Sequence, residues 1–139
     1  MITAPERYRA YLEALTPETL NRLSDYVTDD VRFKDPFNDV RGPEAMAAVF
    51  THMFNAVGQA RFAVHHMAED GKICLMHWTF RARLRGEDWV FDGMSAIRFA
   101  LDGRVAEHVD HWDAAGAFYA RLPVIGWLLE RIRTRIASR

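Results

Sequence analysis

Between Glu107 and Asp113 the chain reads Glu-His-Val-Asp-His-Trp-Asp, five ionisable side chains in seven residues. Carboxylates and imidazoles at this density can move protons, hold a metal or neutralise one another. The surrounding residues alternate as in a strand, so His108, Asp110 and Trp112 share one face, and Val109, His111 and Asp113 the other. Whichever face turns inward takes a carboxylate and an imidazole with it. Burying such groups is costly unless they are paired or put to use. A carboxylate in an apolar cavity is expected to have its pKa raised toward the range useful for acid–base work. His108, two residues from Asp110, could hold it ionised or share its proton, and a buried Asp–His pair that only fixes strand register is the alternative. His108-x-Asp110 with His65, His66 or His77 would make a two-His-one-carboxylate metal triad. Histidines on adjacent strands more often pair with carboxylates, and neither a metal nor a cofactor is expected.

A second carboxylate stands at Asp35, the end of the alternating stretch Val31-Arg-Phe-Lys-Asp35. Pro36 cannot donate to a ladder, so the strand stops there and the Asp35 carboxylate can reach a cavity rim. It could equally cap the turn Pro36-Phe-Asn-Asp. Cys74, in Ile73-Cys-Leu-Met76, reads as a buried inert thiol. A lone cysteine excludes an internal disulfide and fits a reducing cytoplasm.

These residues need elements to position them. Tyr8, Tyr11, Leu12 and Leu15 recur at helical spacing. Thr16-Pro17-Glu18 opens a second expected helix with Leu20, Leu23 and Val27 on its apolar side. Gly42-Pro43-Glu44 opens a third, whose stripe is Met46, Phe50, Met53, Phe54 and Val57. After Gly58 the period changes to two. Arg61 to Glu69, Lys72 to Arg85, Trp89 to Leu101 and Arg104 to Trp112 read as strands joined by Asp-Gly and Gly-Glu-Asp turns. Trp78, Phe80, Ala82 and Leu84 then share the inward face of their strand, and His77, Thr79, Arg81 and Arg83 the outward one. Asp113 can cap a helix through Arg121, and Pro123 starts a last one. Helices followed by an antiparallel meander predict an α+β layer fold, with helices on one face of a curved sheet.

The 139 residues suit one domain, half of them apolar, with no transmembrane-length segment and no signal-peptide pattern. A cytoplasmic protein is expected. The net charge of −1 gives no nucleic-acid footprint. Five arginines against Glu130 alone in residues 121–139 leave about −5 for the remainder. The last helix places Ile125, Leu128, Leu129, Ile132 and Ile136 on one face and arginines on the other. It is expected to pack on or extend from its own domain. A lid, a dimer arm or attraction to anionic membranes are the alternatives, membrane association being the less expected outcome.

The sequence resembles the NTF2-like superfamily, in its SnoaL-like and ketosteroid-isomerase-like branches. The stretches that carry the likeness are Tyr11-Leu-Glu-Ala-Leu, Asp29-Asp-Val-Arg-Phe-Lys-Asp-Pro36, Arg41-Gly-Pro-Glu-Ala and Ile97 to Trp112. The resemblance implies a cone: a bent sheet wrapped around N-terminal helices, with an apolar pocket at one end. With the additional C-terminal helix read from its own residues, the chain is expected to be a domain at 1–122 and a basic amphipathic helix at 123–139. In the isomerases the matching aspartate is the proton-shuttling base, which looks like Asp35, and the tyrosine that polarises the substrate carbonyl looks like Tyr11. Ser95 falls where they carry a protonated carboxylic acid, so its hydrogen bond would be the weaker one. The resemblance turns His108, Asp110 and Trp112 toward the pocket, and SnoaL-like cyclases carry an acid/base aspartate that looks like Asp110. Epoxide hydrolases of this fold also use an aspartate here, with partners that would fall near Trp78 and Phe80. Asp35, Asp110, Tyr11 and His108 are thus the expected catalytic groups, with Trp78, Phe80, Trp112, Ser95, Phe50 and Phe54 against the substrate. The implied activity is isomerisation or aldol-type cyclisation beside a carbonyl of an apolar small molecule. A non-catalytic pocket or a dimeric interaction domain is the alternative. A homodimer is expected, its polar face drawn from Arg81, Arg83, Arg98, Glu107 and Asp113.

Overall fold

The computed structural model describes residues 1–118 and 122–137. Helix α1 (Ala4–Glu13) starts from a reciprocal cap, in which the Thr3 hydroxyl accepts from the Glu6 amide and the Glu6 carboxylate accepts from the Thr3 amide. Tyr8, Tyr11 and Leu12 are its buried side chains, together with Pro5. The second expected helix is a 3₁₀ helix at Thr19–Asp25. It ends before Val27, which opens strand β1 (Val27–Lys34) instead of extending a helical stripe. A short strand β2 (Asp39–Arg41), not foreseen in the sequence, pairs antiparallel with β1. Helix α2 (Pro43–Ala56) follows, and buries Met46 and Phe50.

Four longer strands complete the sheet: β3 (Gly58–Asp70), β4 (Ile73–Leu84), β5 (Glu87–Phe99) and β6 (Val105–Trp112). Their order is β2-β1-β6-β5-β4-β3. The β4–β5 hairpin turns on Arg85 and Gly86, both at positive φ (54° and 80°), which matches the right-handed twist of its strands. The meander from β3 to β6 is antiparallel as expected, but β1 lies parallel to β6. That pairing places Phe33 beside His108 and brings the Asp35 end of β1 to the same end of the sheet as Asp110 and Trp112. Register breaks between Gly58 and Arg61 and between Val64 and His66 interrupt β3 and help curve the sheet.

The concave face and the helices make one core. Tyr8, Leu12, Met46 and Phe50 meet Val64, Met76, Trp78, Phe80, Ile97 and Val105, all buried. Asp113 caps the short helix α3 (Ala114–Ala117) by accepting from the Gly116 amide. The rest of the helix expected to reach Arg121 falls in residues 119–121, outside the described residues. Helix α4 (Pro123–Ile136) closes the chain.

Candidate functional site

Strand register assembles the site. Ser95 of β5 lies opposite Asp110 of β6 and Met76 of β4, and Gly93 lies between Trp78 and Trp112. Because alternate residues share a face, Trp78, Ser95, His108 and Asp110 project together into the concave side. Gly93 lets the largest of them lie down. A Cβ built there would fall 2.9 Å from Trp78 Cζ3 and closer still to Cη2 and Cζ2, so the indole occupies the space a side chain would fill. In this position Trp78 Nε1 donates to Ser95 Oγ at 2.8 Å.

A chain of hydrogen bonds follows. Ser95 Oγ donates to Asp110 Oδ1, and His108 Nε2 lies 2.6 Å from the same oxygen. On the other side of the imidazole, Nδ1 lies 2.7 Å from the Tyr8 hydroxyl. Desolvation, and then the nearby Asp110 charge, push the Tyr8 phenol well above its ordinary value, so it stays protonated. The Asp110 carboxylate only accepts, so Nε2 carries the hydrogen that goes to it, and in that neutral tautomer the Tyr8 hydroxyl donates to Nδ1. Every donor in the chain therefore points toward Asp110 Oδ1. Among the described residues, Oδ2 accepts no hydrogen bond. His108 is buried and the Asp110 side chain is 12% exposed, so the carboxylate sits at the boundary between the polar chain and the cavity.

That cavity has a volume of about 560 Å³. Its wall is aromatic: Phe33, Phe50, Phe62, Trp78, Phe80, Trp89, Phe91 and Trp112, with Phe37 and Phe118 at one side. The rings brace one another, Phe91 against Trp112 at 4.5 Å between centroids and Phe37 edge-on to Trp112 at 5.4 Å. Asp35, Asp110 and His52 line it, and among the described residues no Lys or Arg does. Beneath it a recess of about 20 Å³ reaches Leu12, Val64, Ser95 and His108.

Of the residues expected from sequence, Asp35, Asp110, Phe50, Trp78, Phe80 and Trp112 line the main cavity, and Ser95 and His108 floor the recess. Asp35 is also committed locally. Its Oδ1 accepts from the Phe37 amide (2.8 Å), the Asn38 amide (2.7 Å) and Asn38 Nδ2 (3.0 Å), so it caps its turn as well as facing the cavity. Tyr11 is not brought to either space. Its hydroxyl donates to the Thr19 carbonyl at 2.9 Å and its ring stacks on Tyr26 at 4.1 Å. The tyrosine that reaches the polar chain is Tyr8, one helical turn earlier. Tyr8 shares the stripe with Tyr11, so spacing alone could not choose between them. Phe54 packs against the core without lining the cavity. Phe62 and Phe91 went unnoticed, although each alternates correctly with Val64 or with Gly93 and Ser95.

His65, His66 and His77, considered as metal ligands, lie on the opposite face of the sheet. His65 Nε2 is 2.7 Å from Thr79 Oγ1, which donates to Asp92 Oδ1, and His66 stacks on His77. They share no centre with His108 and Asp110.

Several solved structures have this architecture. An NTF2-like protein of unknown function from Burkholderia pseudomallei is similar with a TM-score of 0.73 and 22% identity, over 84% of this chain and 95% of that one. A ketosteroid-isomerase-fold protein from Catenulispora acidiphila, solved with trimethylamine, gives 0.76 and 15% over 90% and 98%. An epoxide hydrolase of the LEH-like type from M. tuberculosis gives 0.70 and 21% over 98% and 95%. At these identities the likeness is one of fold. No curated protein sequence matches the chain. The SnoaL-like domain family matches residues 8–108, which reach from the tyrosine to the histidine of the polar chain, and the protein belongs to that family.

Proposed function

We propose that the protein is an acid–base enzyme in which Asp110 takes a proton from carbon beside a carbonyl of an apolar ring compound and returns it elsewhere on the same molecule. The observation that carries this reading is the asymmetry of the Asp110 carboxylate. Ser95 and His108 donate to Oδ1, while Oδ2 is left to the aromatic cavity. Two donors on one oxygen fix the carboxylate's orientation, and a fixed carboxylate beside an apolar cavity can act as a base. Tyr8 acts one step back, holding His108 in the tautomer that donates to Asp110.

The wall supports an uncharged, planar ligand. Ten aromatic rings offer stacking area, and among the described residues no Lys or Arg is there to offset a phosphate or carboxylate. Isomerisation and aldol-type cyclisation both begin with this proton removal. The positions where hydrolases of this fold would place partners for the aspartate are Trp78 and Phe80, which are wall residues here. Asp35, whose Oδ1 caps its turn and whose Oδ2 accepts from Asn38 Nδ2 at 3.2 Å, is the second carboxylate at the cavity able to receive or return a proton.

The test is deuterium uptake, followed by NMR, into a panel of cyclic and aromatic ketones in heavy water. Exchange catalysed by the protein should fall by roughly 10²- to 10⁴-fold in Asp110→Asn. Undiminished exchange in that variant removes the assignment. A second reading, a pocket that binds without chemistry, is favoured by the commitment of the Tyr8, Ser95 and Trp78 donors to one another instead of to a ligand oxygen. Calorimetric binding of a ketone that shows no exchange would select it.

A further inference from the structure

Helix α4 is set apart from the core by its exposure. Gly126 is its one buried residue, and Leu129 is half-buried. Trp127 is 61% exposed, Leu128 51%, Ile132 47% and Ile136 78%, with Val124 and Ile125 also exposed. Ile125, Leu128, Ile132 and Ile136 recur at spacings of three and four, so they form one stripe. At 100° per residue Gly126 falls well off that stripe, so the stripe and the buried position are on different sides of α4.

Arginines border the stripe on both sides. At 100° per residue, Arg131 and Arg135 fall along one edge and Arg133 along the other. The one acidic residue of the helix, Glu130, pairs with Arg133. The Arg131 guanidinium lies 5.1 Å from the centroid of the Trp127 ring. An apolar stripe flanked by long cationic stems, with a tryptophan among them, suits a boundary between hydrocarbon and charged headgroups. A 14-residue helix is about 21 Å long, too short to cross a bilayer but able to lie in its surface.

We propose that α4 is an interfacial anchor, which seats the protein on an anionic lipid bilayer with Ile125, Leu128, Ile132 and Ile136 below the headgroups and Arg131, Arg133 and Arg135 at the lipid phosphates. Charge complementarity favours this occupant over a second copy of the chain. Two α4 stripes laid together would bring arginines against arginines. The other exposed apolar side chains of the sheet's outer face, Leu75, Val90 and Met94, stand on a surface of mixed sign, with Arg81, Arg83 and Arg98 among Asp88, Asp92 and Glu107, whereas lipid phosphates are of one sign, opposite to that of α4.

The experiment is flotation of the full chain with vesicles of phosphatidylcholine alone or mixed equally with phosphatidylglycerol. The chain should float with the mixed vesicles at low salt, and be released as salt rises. Combined Arg131→Gln, Arg133→Gln and Arg135→Gln should lower partitioning on the order of 100-fold. Leu128→Ser with Ile132→Ser should abolish flotation while the thermal midpoint stays that of the parent. Ketone deuterium exchange should be unchanged in both variants, because neither touches the cavity. Failure of the parent to float, or flotation retained in both variants, overturns the proposal. So does a dimer in sedimentation velocity that the serine variant dissolves, since the stripe would then be covered by a second copy.

Discussion

Gly93→Ala tests how the polar chain is built, because the glycine and the indole of Trp78 occupy one space. A methyl at residue 93 lies inside contact distance of three indole carbons, and all three belong to a ring held in the sheet. The backbone there is paired on both sides, with Trp78 and with Trp112, so relief must come from the indole. Overpacking a core costs typically about 1–3 kcal/mol. If the indole swings away, the hydrogen bond from Nε1 to the buried Ser95 Oγ is lost as well, worth about 1 kcal/mol net. The sum is about 2–4 kcal/mol, or roughly a 6–15 °C fall in melting temperature for a domain of this size. Urea unfolding of four proteins measures it: the parent, Gly93→Ala, Trp78→Leu and the double variant. In the Trp78→Leu background the colliding carbons are gone, so adding Gly93→Ala should then cost less than about 0.5 kcal/mol, giving a coupling near the whole single-variant effect. An alanine that costs as much in that background as it does beside the indole would refute the reasoning, because the strain would then lie in the strand itself.

Two further outcomes concern the tyrosines and the turn. Burial, with Tyr26 and Asp25 adding to it, raises the Tyr11 phenol from 10.0 to about 12, and burial with the Asp110 charge raises Tyr8 well above its ordinary value. Above pH ~10 the unfolded chain therefore binds fewer protons than the folded one, and stability present below pH ~10 should be lost as the pH climbs toward ~12. The slope of unfolding free energy against pH should be shallower in Tyr8→Phe, and an unchanged slope would contradict the burial of an un-ionised phenol. Asp35→Asn keeps an acceptor for the Phe37 and Asn38 amides and should cost less than about 1 kcal/mol, whereas Asp35→Ala should cost about 1–2 kcal/mol. Deuterium exchange in Asp35→Asn should fall less than in Asp110→Asn, and an equal fall would make Asp35 a base of the same standing.

The parts of the site legible in sequence are those governed by alternation along one strand. His108, Asp110 and Trp112 share a face because the strand has period two, and Trp78 and Phe80 share one for the same reason. What alternation cannot give is the neighbour. The parallel contact of β1 with β6 joins residues more than seventy positions apart through the whole meander, and no local pattern encodes it. The placing of Tyr8, and not Tyr11, at the polar chain is hidden from sequence for a related reason. A helical stripe is wide enough to bury both, and which one meets a histidine a hundred residues away depends on how α1 seats against β6. The 3₁₀ helix departs from the expected α-helix at Thr19, whose hydroxyl accepts from the Thr16 amide at 2.9 Å and whose carbonyl accepts from Tyr11, local bonds that compete with α-helical pairing.

The same dependence on register explains why a buried polar chain can persist in an otherwise apolar core. Its five members come from four elements: Tyr8 on α1, Trp78 on β4, Ser95 on β5, His108 and Asp110 on β6. No buried side-chain nitrogen or oxygen among the described residues is left without a partner. Satisfaction therefore requires all four elements to hold their pairing together, since a slip of one residue in β5 or β6 would turn Ser95 or Asp110 out of the cone and strand the others. The chain of donors thus checks the fold's own register, and the outcome of correct register is a carboxylate with one oxygen fully engaged and the other turned to an aromatic cavity. In the proposed reaction that second oxygen is the one that would take the proton, whereas a purely structural pair would gain more by engaging both oxygens.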